Sequence, residues 1–220
     1  MFPRVVSGYA VPVRDFHRPV QFGGNEFEDA AGGTDPAEVS FVAHETARSL
    51  LSRARTSQDP DPLENLLSYT DTYGLAELAE LWSLSPADTL PGVLWRLYLM
   101  RAFIGKNPVD VSFAFQAGQD ALSTVDPVVA GVESPVGPDE VRATADEVLR
   151  GAFQGDFAVA LERAAAFCRV TAAGCTERAN QIETLNHEDA HALTKRALRL
   201  MTMADEFVEG ARLWRADALD

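Results

Sequence analysis

The run His187-Glu188-Asp189-Ala190-His191 spells H-E-x-x-H, which on a helix sets two imidazoles one turn apart on one face. That spacing lets both rings chelate a zinc ion while Glu188 acts as general base on metal-bound water, the chemistry of a zinc-dependent hydrolase. A third ligand is needed, and His44-Glu45 is the only other His-Glu pair, which makes His44 the candidate metal ligand beside His187 and His191. Two features oppose this reading. Asp189 places a charge where a metalloprotease helix lies buried beneath its metal, and no Gly or Pro between Cys175 and Gly210 turns the chain after His191. The competing expectation is a coincidence on a continuous C-terminal helix. Its buried stripe would be Ile182, Leu185, Leu193, Ala197, Leu200, Ala204, Phe207, Ala211 and Trp214, with both histidines at the edge.

Leu75-Ala76-Glu77-Leu78-Ala79-Glu80-Leu81-Trp82-Ser83-Leu84-Ser85-Pro86, read on to Leu94, has the skeleton of a helix-turn-helix. A transcription-associated DNA reader would follow from it. Pro91 falls where a recognition helix needs regular backbone, and the residues from Val93 onward are too apolar to face a groove. Two packed core helices are the preferred expectation. The stretch from Leu94 to Ile104 is apolar nearly all round, as a central helix is, so Arg96 and Arg101 within it need carboxylate partners. The alternative there is an anion pocket built on the two arginines. Gly151-Ala152-Phe153-Gln154-Gly155-Asp156-Phe157 lacks the Gly-Lys-Ser/Thr of a phosphate loop and reads as a tight interhelical turn.

Cys168 and Cys175 fall in one helical run, about 10 Å apart by helix rise, beyond the reach of a disulfide. Free buried thiols and a reducing, cytoplasmic compartment are the expectation. Acids outnumber bases 33 to 19, a net charge of −14, which disfavours direct nucleic-acid binding and anionic membranes. Met1 to Pro19 contain no continuous apolar run, so no signal peptide is expected. The most apolar window, Leu90 to Gly105, is too short to span a bilayer.

The elements that would hold these residues are all helical. Residues 1–34 mix Pro, Gly, Arg and Asp with single aromatics and are expected to form an extended arm. From residue 35 to 220, proline and acid start signals recur at Asp35-Pro36, Asp61-Pro62, Pro91, Asn107-Pro108, Pro138 and Asp156, with a strong helix former over Ala76 to Leu84. One helix is expected from Asp156 through Ala173 and another from Thr176 to about Arg215. No βαβ alternation appears, and the recurring Leu-Trp pairs do not align as repeats. The expectation is an all-α, orthogonal or bundle-like domain of about eight helices.

Leu90-Pro91-Gly92-Val93-Leu94-Trp95-Arg96-Leu97-Tyr98-Leu99, Gly151-Ala152-Phe153, the segment Gly155 to Phe167 and Ala211-Arg212-Leu213-Trp214-Arg215 carry a resemblance. On them the chain resembles a poorly characterised family of short actinobacterial helical proteins, some labelled RNA polymerase β subunit. The resemblance transfers no catalytic residue and implies at most a transcription-linked partner. Together these observations lead to a non-enzymatic helical module that binds another protein. The zinc-dependent hydrolase comes second and the helix-turn-helix protein third, with homo-oligomerisation left open.

Overall fold

Each helix begins where the sequence supplies a residue that satisfies an orphan amide or has none to satisfy. The structure, a computed structural model, describes residues 35–56, 81–122 and 137–220. The arm expected over residues 1–34, the helix expected after Asp61-Pro62 and most of that over Ala76 to Leu84 lie outside them. Among the described residues the regular structure is entirely helical, in six helices where about eight were expected of the whole chain. They are α1 (Pro36–Thr56), α2 (Leu90–Lys106), α3 (Pro108–Ala121), α4 (Pro138–Gln154), α5 (Phe157–Ile182) and α6 (His187–Arg215).

Among the described residues the proline and Asp156 start signals act as read. Thr89 caps α2 by accepting from the Gly92 amide, and Pro91 sits within the first turn. Pro108 and Pro138 occupy the first turns of α3 and α4, where a missing N–H costs no helical bond. Asp156 caps α5 by accepting from the Val159 amide at 3.2 Å. None of the described helices is long and apolar enough to cross a membrane.

The boundary between the last two helices differs from expectation. The predicted break near residue 174 does not occur, and α5 continues through Gly174 to Ile182. Gly174 is a packing residue: a Cβ there would meet the Ala114 carbonyl oxygen at 1.6 Å, and one on Gly118 would meet the Val170 carbonyl oxygen at 1.9 Å. The two glycines let the backbones of α3 and α5 touch, which no side-chained residue permits. The true break falls at residues 183–186 without Gly or Pro. There the amides of Leu185 and Asn186 both donate to the Ile182 carbonyl, at 2.9 and 2.8 Å. Leu185, assigned by its spacing to a buried stripe, is 85% exposed in this turn.

The core forms around α5, which packs most extensively against α6 and then against α3 and α4. Phe157, Phe167 and Phe207 are among its largest enclosed side chains, each contributing about 2–3 kcal/mol of hydrophobic burial. Phe167 stacks on Phe115 with ring centroids 5.1 Å apart. Beyond α6, Asp217 adopts a left-handed conformation (φ 53°), and the amides of Asp217 and Ala218 donate to the carbonyls of Trp214 and Leu213. This turn, a Schellman motif, satisfies carbonyls at the helix end and buries Leu219. It also brings the Asp220 carbonyl to the Leu90 amide at 2.7 Å and the Asp220 carboxylate to Arg48 at 3.0 Å.

Candidate functional site

The H-E-x-x-H residues are the first turn of α6, not the middle of a continuous helix. Asn186 is the N-cap, its side-chain oxygen accepting from the Asp189 amide at 3.2 Å. Its amide group donates to the Asp189 carboxylate. Asn186-x-x-Asp189 is thus a start signal, with Glu188 and Asp189 placed favourably against the positive end of the helix dipole. The charge at Asp189 that fitted poorly beneath a metal has this local cause.

His187 and His191 are exposed and line one hollow with Glu183, between the end of α5 and the start of α6. His44 lies on α1, where its Nδ1–H donates to the Ser40 carbonyl at 2.7 Å. Its neighbour Glu45 pairs with Arg48. α1 packs on α2 and α4. The structure therefore brings His187 and His191 together but does not bring His44 to them. Among the described residues no three of His, Cys, Asp and Glu converge as a set that could hold a metal.

The other constellations resolve into packing. Arg96 donates from Nε to Glu206 at 2.7 Å, and Arg101 from Nε to Asp146 at 2.7 Å, so both central arginines have the carboxylate partners expected of them. The proposed recognition helix of the helix-turn-helix string corresponds to α2. It buries Val93, Leu94, Leu97, Met100 and Ile104, while residues 75–80 of the string lie outside the described residues. Both thiols are free and enclosed. Burial pushes Cys168 up to about 12, and burial also raises Cys175, opposed by the charges of Arg196 and Arg178. The buried hydroxyls of Ser112, Thr144 and Thr171 all donate back to carbonyls of their own helices. No buried side-chain polar atom among the described residues lacks a hydrogen bond.

A half-open groove of about 500 Å³ lies between α2 and α6. Leu99, Met100 and Phe103 line it from α2, and Leu200 and Met203 from α6. Lys195, Arg196 and Arg199 supply its charge. The Arg196 guanidinium lies over the Phe103 ring, 5.6 Å from its centroid, a geometry that keeps a cation at an apolar wall. Lys195 and Arg199 make no ion pair among the described residues.

Sequence reasoning missed this groove. The available signal was Lys195-Arg196-Ala197-Leu198-Arg199, a cation cluster in a chain where acids predominate 33 to 19. The opposing wall on α2 is 92 or more residues away in sequence, and only the fold joins the two. The chain matches no family model, no curated protein and no solved structure, so the chemistry of its own surfaces must carry the functional reading.

Proposed function

We propose that the protein is a non-enzymatic protein-binding module that docks an acidic, apolar segment of a partner protein in the α2–α6 groove. The supporting observation is the combination of an apolar floor with Lys195 and Arg199 unmatched among the described residues. Covering Leu99, Phe103 and Met203 supplies binding energy in proportion to the apolar area removed from water. The cations contribute selection more than affinity. The net charge of −14 opposes an acidic segment over the chain as a whole, so the cations of this patch orient the partner as well as attracting it. Met100 and Met203 give the walls adaptable side chains. The family resemblance adds that such a partner would be linked to transcription.

The test is site-specific photocrosslinking in cells, with the photoreactive residue at Leu99 in the groove or at Val159 on α5. A discrete polypeptide should crosslink from Leu99 and not from Val159, the attached peptide should be acidic and apolar, and Arg199→Glu, in the groove alone, should abolish the product. Equal labelling at both positions, or labelling indifferent to the charge reversal, refutes the reading.

A further inference from the structure

The face of α6 turned away from the core carries a pattern that shares only Lys195 with the groove. Opposite the buried Ala197, Leu200, Ala204 and Phe207, exposed residues recur at alternating steps of three and four from Glu188 to Arg212. Leu198 at its centre is 68% exposed, a large apolar side chain at the outermost position of a helix. Such spacing is that of a helix meeting another helix along a seam. Here the seam is mostly charged, and the order of its charges specifies what can lie on it.

We infer that this face pairs with the same face of a second copy of the chain, the two α6 helices running antiparallel about a two-fold axis at residue 200. A two-fold contact places residue i against j and j against i. With the axis at residue 200, Leu198 meets Thr202 of the second copy, Lys195 meets Asp205, His191 meets Glu209 and Glu188 meets Arg212. The outer layers then set a cation or an imidazole against a carboxylate, and the central layer sets Leu198 against Thr202 with no charge opposed. Sliding by one heptad brings Lys195 against Arg212 in one direction and Glu188 against Asp205 in the other. A parallel pair stacks Lys195 on Lys195 and Asp205 on Asp205. Like-charge juxtaposition therefore selects one register and one orientation.

Two of the three acids on this face, Asp205 and Glu209, have intramolecular partners and still present themselves to solvent. Asp205 is 73% exposed and 3.8 Å from Arg169; Glu209 is 49% exposed and pairs with Arg212. Each carboxylate keeps oxygen lone pairs for a second cation. Met201 and Val208, 40% and 39% exposed, flank the seam and add apolar cover. Exposed ion pairs are individually weak, and the net charge of −14 on each copy opposes association. The dimer is thus a weak, reversible one.

Lys195 alone borders both the seam and the groove, so the two surfaces are tested separately. Sedimentation velocity of the full chain from about 5 to 500 µM should show concentration-dependent dimer formation. Lys195→Asp or Asp205→Lys alone should weaken it by about tenfold or more, because symmetry turns two attractive contacts into two repulsive ones. Lys195→Asp combined with Asp205→Lys in one chain should restore it, since the swapped charges again face each other. Leu99→Ser, in the groove, should leave it unchanged. A chain that stays monomeric throughout, a dimer indifferent to both single substitutions, or one lost on Leu99→Ser overturns the inference. None of these results touches the crosslinking test of the groove.

Discussion

α5 and α6 are the two longest described helices, 26 and 29 residues, and lie against each other, yet they are built for opposite purposes. α5 buries 15 of its residues, seven of them alanine beside Phe157, Leu161 and Phe167, so neighbours approach it on nearly every side. α6 buries 7, in one stripe, and leaves charged residues on the rest of its surface. A helix enclosed by small residues serves as an axis. One anchored along a single stripe presents the remainder of its surface to something else, and both surfaces proposed for binding lie on α6.

The largest blow to this contrast falls on the axis. Phe167→Ala removes a ring that is 2% exposed and stacked on Phe115, and unfolding in urea should show a loss of about 3–5 kcal/mol. Leu198→Ser on α6 should change the same measurement by no more than about 0.5 kcal/mol. A comparable loss from both would erase the distinction between the helices. Gly174→Ala sharpens it from the side of overpacking. The added methyl must push the α3 backbone away, and a loss of about 3 kcal/mol is expected, against little effect for Ala at Gly105, where no atom lies within 4 Å of a Cβ.

A smaller effect reports the enclosure of α5 through its thiol. Burial raises Cys168 from 9.0 to about 12, so the folded state keeps its proton where the unfolded chain has lost it. The raised value means that this contribution to stability is complete below pH 9 and declines as pH climbs from 9 towards 12. Urea midpoints should fall over that window, and Cys168→Ala should flatten the fall. An Ellman assay on native protein at neutral pH should find both thiols unreactive, since neither is accessible. The smallest effect lies where α6 ends. Asp217→Gly should raise stability by about 0.5 kcal/mol by relieving its left-handed backbone and removing a negative charge from the helix C-terminus. Asp217→Val should lower it, with both changes read from thermal midpoints.

Particular residues show where sequence reasoning reached and where it stopped. Pro36, Pro108, Pro138 and Asp156 start helices as read, because a fixed φ and a side-chain acceptor act within one turn whatever the neighbours are. The pairing of Arg96 and Arg101 with carboxylates was legible for a similarly general reason: a part-buried guanidinium requires an acceptor. Which acceptors, Glu206 and Asp146, was not. Gly174 misled, since a glycine that breaks a helix and one that admits a neighbouring backbone look alike in one dimension. Asn186 went unrecognised as the cap, and His187 to His191 were consequently placed in mid-helix.

Composition and local chemistry alone determined the helical class, several of the helix starts, the distance between the cysteines and the acidic surface, because each depends on residue type or on spacing within a few turns. Tertiary structure alone decided that Gly174 lies under Ala114, that His44 stands apart from His187 and His191, and that Leu99 and Phe103 face Lys195 and Arg199. These are contacts between segments tens of residues apart. They follow from how whole faces pack, and no periodicity within a single helix encodes which face of another helix it will meet.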